Sequence, residues 1–192
     1  MDYFNYQRLI HPEKGDLLIS EPLLPDPNFE RTVVLLCENN KEGSIGFVLN
    51  KPSLLKFEEA IEGIEGFSAP LYVGGPVQQD SLHFIFRGNF ELEGTIEVTN
   101  EINWGGSFDQ LITLINTGLV SNSDFRFFVG YSGWAPGQLE NELKQKSWIV
   151  INSATAFQVF DLDSRELWKK LLEEMGGKFK MFSNYPVDPR MN

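Results

Sequence analysis

The residues with the most chemical potential stand together in the run Tyr131-Ser132-Gly133-Trp134-Ala135-Pro136-Gly137-Gln138. A strongly apolar strand, Phe125 to Tyr131, leads into it, and a helix reaching about Lys144 leads out. Gly133 permits a tight turn. Pro136 suits the first helical turn, where its missing N–H is not needed. The free amides and dipole of a helix start attract a carboxylate or phosphate. Gln138 adds a side-chain donor, and Trp134 offers a face to a ring or to a partner's pocket. The same residues also read as plain architecture, with Gly133 and Gly137 serving backbone geometry and Trp134 filling core. Glu140 and Glu142 then complement the helix start. The run lacks the phosphate-loop pattern Gly-x-x-x-x-Gly-Lys-Ser/Thr, and its glycines miss the spacing of a Gly-x-Ser-x-Gly nucleophile elbow.

A second candidate is Gly74-Gly75-Pro76-Val77. Two glycines let backbone approach a neighbour or a ligand closely, and proline stiffens the exit. Either a tight strand connection or the wall of a ligand cleft meets that description. His11 and His83 are the two histidines and Cys37 the lone cysteine. A zinc site needs three or four ligands at recognisable spacing, and these residues have none, so no metal and no cofactor is expected. Cys37 lies within Val33-Val34-Leu35-Leu36-Cys37 and reads as a buried structural thiol. The carboxylate pairs Glu91/Glu93, Glu140/Glu142 and Asp161/Asp163 read as solvated surface, because acid–base catalysis requires unlike environments for the two groups.

The elements that must position these residues follow from pattern. Asp16 to Ser20 reads as a strand, and the proline-rich Glu21 to Asn28 as a stiff loop. Thr32 to Glu38 and Ser44 to Leu49 form a hairpin across Asn39–Gly43, the second strand ending at Lys51-Pro52. A short helix spans Phe57 to Ile61 and closes near Gly63. Strands follow at Leu71 to Val73, at Ser81 to Arg87 and at Glu93 to Val98. In Ser81 to Arg87, Leu82, Phe84 and Phe86 share one face, and His83 and Ile85 the other. Ser107 and Gln110 fit a capping box for a helix to Asn116 that Gly118 ends. Trp148 to Ile151 is a strand. Asp163 and Glu166 suggest another capping box, ahead of the amphipathic stripe Leu167, Trp168, Leu171, Leu172 and Met175, which Gly176 ends. Strands with helices inserted singly indicate an α+β fold with a mostly antiparallel, curved or barrel-like sheet and three or four packed helices.

Five blocks along the chain then carry a family resemblance: Gly15 to Ser20, Asp26 to Val33, Gly46 to Pro52, Gly74 to Val77 and Tyr131 to Glu140. In that order they resemble the YqgE/AlgH family, a domain of unknown function, over about residues 15 to 180. The resemblance implies one domain with a bifurcated, pseudo-barrel sheet and a polar tail from Asn184. It also implies a label of transcriptional regulator that names no mechanism, and no catalytic residues.

The formal net charge of −11 over 192 residues opposes phosphate at long range, since nucleic-acid affinity rests on Lys and Arg. Lys169/Lys170 and Lys178/Lys180, the densest basic pairs, read as solvated helix faces. The Ser107–Asn116 helix precedes a strand and carries no Lys or Arg, so it does not make a helix-turn-helix. Direct nucleic-acid binding is therefore not expected. No run approaches the ~20 apolar residues of a membrane span, and the first residues lack a signal-peptide pattern, so a soluble, cytoplasmic protein is expected. The expectation for function is a non-catalytic regulatory or interaction protein that meets another protein. The alternative is a small-anion or small-ligand protein, or an enzyme, using a cleft near Gly74–Val77 and Tyr131–Glu140.

Overall fold

A ten-residue strand, β9, gathers the structure around itself. The computed structural model describes residues 11–186 apart from 62, 63 and 65. The lead-in before His11, the helix end expected at Gly63 and the tail beyond Pro186 lie outside the described residues. Ten strands and five α-helices follow in the order β1 (Leu17–Ser20), β2 (Val33–Asn40), β3 (Gly43–Val48), β4 (Pro52–Lys56), α1 (Phe57–Ala60), β5 (Pro70–Val73), β6 (Val77–Phe86), β7 (Ile96–Glu97), β8 (Asn103–Trp104), α2 (Phe108–Asn116), β9 (Phe125–Trp134), α3 (Gln138–Lys144), β10 (Trp148–Ile151), α4 (Leu167–Met175) and α5 (Gly177–Phe182). A 3-10 turn precedes β9, and a π-helical turn, Phe157–Asp161, precedes α4.

The main path of the sheet runs β10-β1-β2-β3-β9-β6-β8-β7. Every pairing is antiparallel except β5 with β9. The fork lies on one edge of β9. Its last residues pair with β3 through Ser44↔Trp134, Ile45↔Gly133 and Gly46↔Ser132. Earlier residues on β9 pair instead with β5, Leu71↔Phe127 to Val73↔Val129. The α+β class and the forked, mostly antiparallel sheet match expectation. The barrel does not close: β10 and β7 stand at opposite ends of the path, unpaired with each other. Among the described residues there are five α-helices rather than three or four, because a further helix, α5, follows where Gly176, at φ 68°, ends α4 as expected.

Period-two alternation explains the core. On β6 and β9, Phe84↔Phe127 and Phe86↔Phe125 face one side with Phe57, Phe67 and the buried residues of α2. Ile85 and Phe128 face the other, joining Leu17, Leu35 and the α4 residues Leu167, Trp168, Leu171 and Leu172. Strands β1 and β2 are buried on both faces, so they read as unbroken apolar runs. Leu18, Val34 and Leu36 pack toward α3 and Trp148, opposite the α4 layer.

Several boundaries differ from the sequence pattern, each for a local reason. The β2–β3 turn shrinks to Lys41-Glu42, because Asn40 Oδ1 accepts from the Glu42 amide at 2.7 Å and the strands extend to Asn40 and Gly43. Pro52 starts β4 rather than ending β3; an edge strand tolerates a first residue with no N–H. Gln110 fills half of its expected box. Ser107 caps the Gln110 amide, but the Gln110 side chain turns away to accept from the Glu93 amide at 2.8 Å. Asp163 caps no helix: its carboxylate accepts from Arg165 N, and α4 begins at Leu167. The strand expected from Glu93 to Val98 contracts to β7, and Arg87 and Leu49 fall just past β6 and β3.

Phe127 is fully buried, with its ring 3.6 Å from that of Phe57 and its strand at the fork. Phe127→Ala is expected to lower unfolding free energy by about 3–5 kcal/mol, read from the midpoint of urea denaturation at unchanged slope.

Candidate functional site

The Gly74–Val77 and Tyr131–Gln138 segments, far apart in sequence, touch. Gly74 sits in the crotch of the fork. Its N–H donates to Val129 O at 2.9 Å, and its carbonyl accepts from Val48 N at 2.9 Å. The buried Ser132 hydroxyl donates to the same carbonyl at 3.0 Å. A Cβ on Gly74 would lie 2.4 Å from Gly130 O, and one on Gly75 would lie 2.2 Å from the Tyr131 carbonyl. Gly130 itself adopts φ 67° and lies against the Gly75 and Val77 carbonyls. These glycines let two backbones pass at contact distance, the architectural use of the motif. Pro76 is exposed, and Val77 pairs with Tyr131.

Gly133 makes no turn. It continues β9 opposite Ile45, and the turn falls at Ala135-Pro136-Gly137-Gln138, closed by Gln138 N donating to Ala135 O at 2.9 Å. Gly137 adopts φ 78° and ψ −6° there, a glycine position of a type II turn with Pro136 before it. Pro136 thus precedes the helix rather than entering it. The Gln138 side chain is committed at both ends, accepting from Ala135 N at 3.0 Å and donating to Glu142 Oε1 at 2.9 Å. Trp134 is 5% exposed and stacks on Phe29. Its indole N–H donates to Glu142 Oε2 at 2.8 Å, and the Trp148 indole donates to the same oxygen at 2.7 Å. Glu142, read as solvated surface, is therefore the anchor that joins α3 to two buried tryptophans. The turn's own bond occupies the Gln138 amide, and Glu140 places negative charge in the first turn of α3, which disfavours an anion there.

What remains open is the sheet face above. A cleft of about 390 Å³ lies across β2, β3, β9 and the start of β6. Its walls include Glu38, Glu42, Ile45, Val77 and Tyr131, and exposed Gly133 leaves the middle bare of side chain. Gly137 and Gln138 are not part of it. Sequence pattern did not single out Glu38 and Glu42; the hairpin register, Glu38↔Ile45, carries Glu38 to this face, and Glu42 borders it from the turn.

His83 lies nearby, half-buried, with its ring 5.3 Å from Phe47 and 5.8 Å from Tyr131. Its Nε2 stands 2.9 Å from Ser81 Oγ, the distance of a nucleophile–base pair. Ser81 Oγ also stands 2.6 Å from Gln78 O, a carbonyl that can only accept, so both bonds are made together when the Ser81 proton goes to Gln78. Ser81 therefore accepts from His83, which is the wrong direction for a general base. His11 is exposed near the chain start. Among the described residues no cluster of three His, Cys, Asp or Glu side chains is arranged to hold a metal ion. Cys37 is fully buried on β2 beside its bulge, and burial raises its thiol pKa far above the ordinary value.

Arg126, which interrupts the apolar strand, is buried too. It donates to Leu49 O at 2.7 Å and Leu162 O at 3.4 Å and lies over the Tyr72 ring, ending as a strut between sheet and α4 layer. The basic pairs behave as helix faces: Lys169 reaches Glu173 at 3.9 Å, and Lys178 covers Phe179. Asp161 is bound to Arg87 at 2.6 Å.

The AlgH-like domain family DUF179 matches residues 17–180. The chain belongs to that family. A UPF0301 protein of Cytophaga hutchinsonii is 46% identical over 93% of this chain and 98% of its own length. The UPF0301 protein CT0663 of Chlorobaculum tepidum is 44% identical over 93% of this chain and 95% of its own. The solution structure of the AlgH protein from Pseudomonas aeruginosa superposes with a TM-score of 0.71 at 29% identity, covering 90% of this chain and 94% of that one. Protein DIP2367 from Corynebacterium diphtheriae shares the fold, with a TM-score of 0.79 at 22% identity over 95% and 97% of the two chains. For an AlgH-like chain, the glycine block thus has a physical reading as the fork's close contact, and the Gly-Trp block as the seat of the Glu142 anchor.

Two outcomes follow. Gly75→Ala must displace the Tyr131 backbone and is expected to cost about 3 kcal/mol or more. Gly118→Ala, at φ 70° with nothing near its Cβ, costs about 1 kcal/mol; urea denaturation of both variants separates close contact from backbone conformation. Burial lowers the His83 pKa below its ordinary 6.5. The unfolded chain then binds the extra proton, so the His83 contribution is complete above the unfolded value and declines as pH falls through it. Stability of wild type is expected to drop more than that of His83→Gln between about pH 7.5 and about pH 5.5, measured by chemical denaturation.

Proposed function

We infer that the chain works by binding another protein without catalysis, and that the open sheet face at Tyr131 receives the partner. The observation that carries this reading is the cleft itself. Four strands present Glu38, Ile45, Val77, Tyr131 and the bare Gly133 backbone on one rigid surface. Surfaces of this kind, a half-buried tyrosine with polar groups at the rim, are the usual anatomy of a protein contact. The one nucleophile–base geometry near it has its proton committed elsewhere. A regulatory role acts in this reading through a protein partner rather than DNA, because net charge −11 and carboxylates at the cleft repel phosphate. Among the described residues no helix is long and apolar enough to cross a membrane.

Affinity capture from the producing cells, with wild type and Tyr131→Ser side by side and equal thermal midpoints as the folding control, tests the reading. At least one protein retained by wild type is expected to be lost with Tyr131→Ser. Identical retained sets, or nothing retained beyond a tag-only control, would overturn it.

A further inference from the structure

The chemistry of the cleft identifies what part of a partner it accepts. Glu38 and Glu42 both line it. Among the described residues neither carboxylate has an ion-pair partner; the ion pairs are Arg87 with Asp124 and Asp161, Arg165 with Asp163, and Lys169 with Glu173. Glu38 Oε1 accepts from Asn40 Nδ2 at 2.6 Å, which orients that carboxylate and leaves the second oxygen for a donor. Between the carboxylates and Val77 lie the Tyr131 ring and Ile45, both half-buried, with Gly133 between them. A Cβ at Gly133 would come within 3.2 Å of the Tyr131 ring, so glycine there keeps the ring's flank open. An aromatic face beside two carboxylates matches a side chain with an apolar stem and a delocalised cation at its tip. A planar guanidinium suits both, as it stacks on a ring and bonds carboxylates through a fixed fork.

We propose that this cleft takes an arginine-bearing basic segment of the partner, its stem lying on Tyr131 and Ile45 and its guanidinium meeting Glu38 and Glu42. The proposal rests on the interaction reading above and adds the chemistry of the partner. The long-range field points the same way, since a chain of net charge −11 steers cationic segments toward itself.

The test uses the purified full chain and fluorescence anisotropy. The probes are a short Gly/Ser peptide bearing paired arginines and its citrulline counterpart, which keeps the shape and loses the charge. Wild type is compared with the double variant Glu38→Gln/Glu42→Gln. A second double variant, Glu166→Gln/Glu174→Gln, removes the same charge from exposed positions on and beside α4. The arginine peptide is expected to bind wild type about tenfold more tightly than the citrulline peptide, and the cleft variant to lose about tenfold, the scale of two exposed ion pairs. The α4 variant should stay within about twofold of wild type. Equal losses in both double variants would show attraction by net charge alone and overturn the proposal, as would equal binding of the two peptides. Repeating the affinity capture with Glu38→Gln/Glu42→Gln keeps the two readings apart. A partner lost with Tyr131→Ser but held by the cleft variant leaves the interaction reading standing and overturns the cationic one.

Discussion

The Gly74 carbonyl is the point on which the sheet divides. It accepts hydrogen bonds from Val48 on the β3 side and from the Ser132 hydroxyl on β9, while its own amide reaches Val129. One residue therefore ties together the two branches that diverge from β9. A buried carbonyl with two donors and an amide with one acceptor leave nothing unsatisfied where a forked sheet would otherwise expose backbone to apolar surroundings. The arrangement requires Gly74, Gly75 and Gly130 to lie within contact distance of neighbouring backbone, and this is why the motif tolerates no side chain at its centre. Everything on the far side of the fork inherits its position from this contact: the Phe84–Phe127 layer beneath, the Val77–Tyr131 pair beside it and the open face above.

A second constraint acts at the other end of β9. Two indoles donate to one carboxylate oxygen of Glu142, and Gln138 holds the other. Charge-assisted bonds of this kind are stronger than neutral ones and hold their partners in one geometry. Trp134, which borders the cleft, is consequently held in place by its indole bond. A partner of the kind proposed would meet a surface already shaped, which would reduce the ordering cost of association.

Much of this architecture was legible in residue order. Alternation along Ser81–Arg87 placed Phe84 and Phe86 opposite His83 and Ile85, and the structure sends them to separate cores. Unbroken apolar runs at Leu17–Ile19 and Val33–Cys37 marked strands, and the structure covers both of their faces. Boundaries were less legible wherever a side chain replaced a backbone partner: Asn40 shortened a turn, Gln110 abandoned its helix for Glu93, and Asp163 bonded Arg165. The candidate site was legible in part. Gly74–Val77 and Tyr131–Ser132 meet as a close backbone contact, whereas of the candidate residues Tyr131, Gly133 and Trp134 line the cleft and the exposed Gln138 is bonded to Glu142. Glu38 could be assigned to this face only through cross-strand register, which a hairpin with a bulge at Cys37 disguises, and Glu42 reaches it from the turn. One usable signal did exist for Glu142: it follows Gln138 by one helical turn, the spacing at which side chains meet.

The position of the single thiol has a consequence for the chemistry of the whole molecule. Cys37 lies in an interior strand, wholly enclosed, with burial holding it in the unreactive protonated form. Oxidants and alkylating agents reach it only when β2 separates from β1 or β3. Its rate of modification is then a clock for the opening of the central sheet rather than a property of sulfur. Oxidative damage at this atom therefore records that β2 has already parted from its neighbours.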